Sequence, residues 1–275
     1  MDLKKNGAHV FSSSGNVCKI KIDSDFFFVK QKTSFRLIEF EKKIQARLQR
    51  AGYMTEEFFV QPFSYNNGSI VVLSKEIIGE TINYDDIDYY DLGKNLFKIH
   101  SVLNDLSVSL KNEIRMKTKK ISYYVAKLSN LNNDLAKFIE NKLHINLIDL
   151  LKLSTPNCIS HGDFHKDNLI FVDNKIIGIL DLESLRYTNI FFDMCYLLLD
   201  SAVIDDDENI FIKRLFKIIK GYNIDLNKHY EEIYLTCCCI EIESFVYALA
   251  VSNKIAVNRI ISQIEWLGGL KKYLI

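Results

Sequence analysis

The sequence predicts an α+β protein in two parts, a small N-terminal part of antiparallel strands with one helix and a larger, mainly helical C-terminal part. Three observations carry this. Before Gly79, short apolar runs alternate with clusters of turn residues. From Asp85 onward apolar residues recur at helical spacing. Inside that helical half, residues 160–183 set two short apolar runs between polar ends, a strand pattern where helices otherwise prevail. The boundary is expected at Gly79, giving parts 1–79 and 80–275.

Residues 10–32 (VFSSSGNVCKIKIDSDFFFVKQK) place Val17, Ile20, Ile22 and the run 26–29 between the turn clusters 12–16 and 23–25, which predicts two or three antiparallel strands. The small-residue turn at 12–16 contains one glycine, and a hairpin turn and a cover for nucleotide phosphates both fit it. Lys30 ends the FFFV run. Ser34 then caps a helix in which Phe35, Ile38, Phe40, Ile44 and Leu48 recur until Gly52 stops it. Residues 58–63 and 69–73 flank Asn66-Asn67-Gly68, a hairpin signal because Asn-Gly adopts the left-handed turn backbone easily. Residues 74–79 (SKEIIG) break the strand pattern, and Leu92, Leu96, Ile99 and Leu103 set a helix over 85–105. Helical spacing continues over 107–154, including a helix over 133–153. It returns after Phe191 and near 208–221, 228–251 and 253–267. Between these, the runs 169–172 and 176–180 flank Asp173-Asn174-Lys175 and form a buried hairpin.

A chain of 275 residues buries a sizeable core, and its 48% apolar content is that of an ordinary globular protein. With 35 basic and 35 acidic residues the net charge is zero, which offers no electrostatic case for nucleic acid or a membrane as partner. The first ten residues lack a signal-peptide core, and no uninterrupted apolar run reaches the roughly 18 residues of a spanning helix, so a cytoplasmic location is expected. Cysteines stand at 18, 158, 195 and 237–239. Three in a row within a helical pattern suit neither a disulfide framework nor a CxxC metal pair, so buried, reduced thiols are expected.

The chemistry concentrates in residues 160–183, SHGDFHKDNLIFVDNKIIGILDLE. Asp163 and Asn168 lie five positions apart in a polar loop, and Asp181 ends the second apolar run. A hairpin joins its two ends, so Asn168 and Asp181 are expected side by side. Moving a γ-phosphoryl group requires an acceptor hydroxyl held in line and Mg²⁺ to absorb phosphate charge. One carboxylate must therefore face the acceptor while others face the metal. Asp163, Asn168 and Asp181 have the order and spacing that protein kinases use for this division. A zinc site from His161, His165 and Cys158 is the weaker reading, because the pair lacks an HExxH helix.

HGDFHKDN (161–168) followed by IIGILDLE (176–183) resembles the signatures of the aminoglycoside phosphotransferase and choline kinase superfamily, small-molecule kinases with a protein-kinase-like fold. Looser likenesses extend over nearly the whole chain: FVK at Lys30, EKKIQARLQRAG from Glu41, VVLSKEIIGE, LGKNLFKIH ending at His100, and FFDMCYL around Asp193. The resemblance implies transfer of the γ-phosphate of ATP or GTP, with Mg²⁺, to a hydroxyl of a small molecule such as an aminoglycoside, choline or homoserine. Asp163 would orient the hydroxyl and take its proton. Asn168 and Asp181 would hold Mg²⁺, and His161 would brace the loop. Lys30 would contact the α- and β-phosphates with Glu41, or else Glu39, as ion-pair partner. Backbone groups of Ser74, Lys75, Glu76 and Ile77 would bind the base. The acceptor pocket would lie among the C-terminal helices, where Glu241, Glu243 and Asp205, Asp206 and Asp207 suit a cationic acceptor. A non-catalytic nucleotide-binding or scaffold protein on the same fold is the alternative, and the oligomeric state is left open.

Overall fold

The computed structural model describes residues 9–14, 17–32, 34–58, 63–64, 70–131, 133–153, 157–205 and 207–274. The chain divides into two compact units, Met1–Asp86 with Lys166–Ser184, and Ile87–His165 with Leu185–Ile275.

In the first unit, β1 (His9–Ser14), β2 (Val17–Ile22) and β3 (Asp25–Lys32) form an antiparallel meander, and helix α1 (Phe35–Arg50) follows. Then come β4 (Met54–Thr55), β5 (Phe63–Ser64) and β6 (Ile70–Lys75), and the main sheet has the order β1-β2-β3-β6-β5. The Ser34 hydroxyl caps α1 by accepting the Leu37 N–H at 3.2 Å. The helix buries Ile38, Phe40, Ile44 and Leu48, the residues its period singled out, while Phe35 stays exposed. Ile38 packs with Ile70, Val72 and Phe58 in one apolar cluster between α1 and the sheet. The turn 66–68, like Gly15, Asn16 and residues 59–62, lies outside the described residues.

The second unit, Ile87–His165 with Leu185–Ile275, carries one two-stranded pairing among its described residues. Its β7 (Cys158–Ser160) pairs antiparallel with β10 (Arg186–Thr188). The hairpin between them, β8 (Leu169–Val172) and β9 (Lys175–Ile179), belongs to the first unit. Asp173 and Asn174 carry φ of 50° and 59°, the left-handed pair that a tight two-residue turn requires. Two backbone pairings hold this hairpin in the first unit: β4 runs parallel to β9, and Glu80 and Phe171 exchange both N–H···O bonds at 2.9 Å. The division therefore falls at Asp86 instead of Gly79, and residues 166–184 leave the helical half, because contacts distant in sequence decide both.

The helices of the second unit are α2 (Tyr89–Asn104), α3 (Val108–Lys117), α4 (Ile121–Leu131), α5 (Asn133–Leu143), α6 (Phe192–Asp205), α7 (Glu208–Tyr222), α8 (Tyr230–Ala250) and α9 (Lys254–Leu274). The helix expected over 133–153 stops at Leu143, where His144 takes φ 51°, and a 3-10 turn at Asp149–Lys152 replaces its second half. Helices α2 and α7 touch backbone to backbone. A Cβ on Gly93 would lie 2.1 Å from the Ile218 carbonyl oxygen, and one on Gly221 2.0 Å from that of Tyr90, so neither position admits a side chain without separating the helices. Helix α8 has the length and apolar composition of a membrane span, with 67% of its most apolar window buried inside the protein. It is the core helix of its unit, packed on α4, α6 and α9. All six cysteines are free, and those at 158, 195, 237 and 238 are buried.

Candidate active site

In the second unit, β7 delivers the chain into the loop that carries Asp163, and a buried carboxylate on α6 sets the shape of that loop. Asp193 sits in the first turn of α6 and accepts the N–H groups of His161 at 2.7 Å and Gly162 at 2.9 Å. It also takes a bond from His100 Nε2 at 2.9 Å, and His100 Nδ1 lies 2.8 Å from the Tyr222 hydroxyl. Burial alone would lower the His100 pKa, but the Asp193 carboxylate holds it well above the usual histidine value. Burial would likewise raise Asp193, yet the bond to His100 and the loop N–H groups keep it low. The pair is thus an imidazolium and a carboxylate that hold Gly162 at φ 85°, a backbone suited to glycine.

Asp163 emerges next, half-buried. Its N–H points to His161 Nδ1 at 3.4 Å, and its carboxylate lies 3.6 Å from His165 Nε2 and accepts the Tyr196 hydroxyl. Burial works to raise its pKa, but His165 and Tyr196 outweigh it and bring it to about 2. Asp163 is therefore an ionised carboxylate, a hydrogen-bond acceptor, at neutral pH. His161 is buried beneath the loop, with its ring edge-on to Phe164.

The first unit holds the remaining expected residues. Asn168 is buried at the start of the hairpin, and its carbonyl accepts the Leu180 N–H at 2.9 Å, which places Asn168 and Asp181 at adjoining ends of β8 and β9. Asp181 occupies the left-handed region at φ 57°, turning the chain out of the strand. An amide oxygen and a carboxylate are hard donors that suit Mg²⁺, an ion that takes few protein ligands and completes its shell with water and phosphate oxygens. A structural zinc takes four ligands, mostly Cys and His, so this pair of oxygen donors fits Mg²⁺ better.

The lysine expectation is corrected. Glu41 pairs with Lys32, at 3.0 Å, and not with Lys30, which binds Glu56 at 2.5 Å. Lys30 and Lys32 project from the same face of β3, about 7 Å apart by strand rise. The one nearer α1 reaches Glu41. Lys32 is 3% exposed and is also bonded to Glu183, so one cation faces two carboxylates. Burial opposes its charge, but Glu41 and Glu183 together raise its pKa. Burial pushes Glu41 up to about 7 against the pull of Lys32. Glu39 faces outward toward Lys42.

Of the expected base-binding residues, Ser74 is buried with no partner for its hydroxyl, Lys75 pairs with Asp25, and Glu76 pairs with Lys19. The Glu76 N–H is committed to the Phe26 carbonyl, and strand pairing ends there, leaving Ile77 half-buried beyond it. The expected cationic acceptor site also changes. Glu243 is engaged by Arg186 and Tyr124, Glu241 is buried in α8 with its pKa pushed up to about 8, and Asp207 caps α7. The side chain of Asp205, and all of Asp206, lie outside the described residues. Tyr196, Arg186 and Glu183 were not foreseen. Nothing local in the sequence marks Tyr196 or Arg186, whereas Glu183 stood two residues past Asp181 and was open to notice.

A model of the phosphotransferase enzyme family matches residues 27–217. The chain belongs to that family. Among curated proteins no relative matches. Solved structures of similar fold include the GDP complex of an aminoglycoside 2'-phosphotransferase-IIIa, with TM-score 0.68 and 13% identity over 95% of this chain and 92% of the other. A streptomycin-ATP complex of APH(2")-IIa matches with TM-score 0.64 and 19% identity over 94% and 92%. The ethanolamine kinase of Plasmodium vivax matches with TM-score 0.69 and 16% identity over 98% and 83%. The fold is therefore the two-lobed, kinase-like α+β fold.

Proposed function

We propose that this phosphotransferase moves the γ-phosphate of a purine nucleoside triphosphate, with Mg²⁺, to a hydroxyl group of a small molecule. The observation that carries the reading is the buried Lys32, clasped by Glu41 and Glu183 in the unit that also holds Asn168 and Asp181. A buried cation with carboxylates fixing its stem is what a kinase uses to grip phosphate oxygens. Lys32 is the phosphate-binding lysine in this reading. Asn168 and Asp181 hold Mg²⁺, which neutralises charge on the phosphates. Ser74 to Ile77 flank the base, and the orphaned Ser74 hydroxyl marks a polar group there with capacity for a partner. Asp163 accepts the hydrogen bond of the acceptor hydroxyl, orients it, and takes its proton as the phosphoryl group transfers. Solved structures of this fold with GDP or ATP support nucleotide use, and the ionised state of Asp163 supports its role as base.

ADP release by the full chain over a panel of hydroxyl acceptors, with ATP and GTP in parallel, tests the reading. Asp163→Ala should lower turnover by about a hundredfold to ten-thousandfold. A variant that keeps full turnover, or a chain that binds neither Mg·ATP nor Mg·GTP, would sink the proposal.

A further inference from the structure

A cavity of about 440 Å³ opens in the second unit, between β10, the start of α4 and α8. Its link to Asp163 runs through two rings. Tyr196, which donates its hydroxyl to Asp163, stacks on Phe192 with ring centroids 6.1 Å apart, and Phe192 lines the cavity. The cavity thus lies two rings from Asp163 within the same unit.

The charge of the lining is the informative part. Glu243 is the one carboxylate on the described wall, and it is already satisfied on both oxygens. Tyr124 donates to it at 2.8 Å and Arg186 at 2.9 Å. Against it stand three cations, Arg186, Lys119 and Lys120, so the lining carries a net charge of +2. The Arg186 guanidinium carbon stands 4.2 Å from the centre of the Phe192 ring, and its Nε–H is buried without a hydrogen-bond partner. A guanidinium that lines an otherwise largely apolar wall is best matched by an oxygen anion. The rest of the wall is largely apolar, with Leu150, Leu151 and Phe192 among its residues.

We infer that the acceptor is a hydroxyl compound with a largely apolar body and a single carboxylate seated at Arg186, and that a polycationic acceptor is rejected. The inference rests on the phosphotransfer reading above. It adds the sign of the acceptor's charge and the residue that reads it. An amino sugar would bring several ammonium groups against Arg186, Lys119 and Lys120, and the single carboxylate there is already engaged, so like-charge contact discriminates against it.

The test uses the full chain with Mg·ATP and three sets of probes: hydroxylated aromatic and aliphatic carboxylates, their methyl esters, and the cations kanamycin and choline. ADP release and ligand-induced shifts in melting temperature are both read. The expected result is that acids are preferred over their esters by about tenfold to a hundredfold, with cations inactive and unbound. Arg186→Gln should abolish the preference for acid over ester, and Lys119→Gln with Lys120→Gln, both at the exposed rim, should weaken it by a smaller factor. Equal or better use of cations or esters overturns the inference. So does nucleotide binding in a chain that binds none of the acids, or an unchanged preference in either variant. Loss of Mg·ATP binding in the unaltered chain is a different failure, since it removes the phosphotransfer reading itself.

Discussion

Each unit buries a charged cluster, and the two clusters are built on opposite plans. The one around Asp193 is closed: one carboxylate meets one imidazolium and two backbone N–H groups, and its charges cancel. The one around Lys32 is open, with a single cation set against Glu41 and Glu183. A closed cluster spends its hydrogen bonds on the chain itself and fixes a loop. An open one keeps an excess of negative charge, which burial answers by pushing Glu41 up to about 7, and so retains capacity for a further positive partner. Buried charge alone therefore does not mark a site; the unbalanced charge does.

The largest effect expected is on the closed cluster. Asp193→Ala leaves His100 charged and buried and frees two loop N–H groups, so urea unfolding at pH 7 should lose about 3–5 kcal/mol. A loss below about 1 kcal/mol would mean the cluster does not hold the loop. The open cluster should respond in function first. Lys32→Met is expected to cost about a hundredfold to a thousandfold in kcat/KM for ADP release, the scale of one lost electrostatic contact to the reacting group. Lys30→Met should cost no more than about fivefold, the scale of a weak ion pair. The reverse ranking would return the phosphate-binding role to Lys30 and erase the contrast.

The pH dependence sharpens the same contrast because the signs differ. Asp193 has a folded pKa below its unfolded value, so its contribution is present above about 3.8 and is lost as the pH falls further. His100 is raised, so its contribution is lost only as the pH rises through a value well above 6.5. Glu41 is also raised, from 4.5 to about 7, so its contribution is present below 4.5 and is lost as the pH climbs to about 7. Glu41→Gln should flatten that decline, a difference on the order of 1–3 kcal/mol between pH 4.5 and 7 in chemical denaturation. An unchanged slope would show that Glu41 stays ionised with Lys32 and that the cluster is less open than its charge count indicates.

Local pattern carried the elements whose causes are local. Helix α1 was legible from Ser34 and its apolar period, and the β8–β9 hairpin from two apolar runs around Asp173 and Asn174, because caps and turns depend on a few adjacent residues. The adjoining placement of Asn168 and Asp181 was legible because one hairpin fixes it. Which lysine pairs with Glu41 was not, since Lys30 and Lys32 share a face of β3 and parity cannot separate residues two apart. Strand β4 and the boundary at Asp86 depend on pairing with residues more than 90 positions away, which no local window contains. Tyr196 was hidden for the same reason: it lies in an apolar helical run, and only the folded loop brings Asp163 to its hydroxyl.

That hydroxyl gives the smallest and most local prediction. Asp163 is held at about 2 with burial working against it and with His165 and Tyr196 prevailing. Its folded value lies below its unfolded one, so the ionised form persists as the pH falls to about 2. Tyr196→Phe removes one of the two side-chain hydrogen bonds that keep it there and leaves the ring stacked on Phe192. The acid limb of the kcat/KM profile should then move up by about one pH unit, the equivalent of one partly solvated hydrogen bond to a charge. His165→Gln should move it in the same direction. If Tyr196→Phe leaves the limb in place while His165→Gln shifts it, the tyrosine serves only as the wall between Asp163 and the cavity, and the carboxylate is tuned by the loop alone.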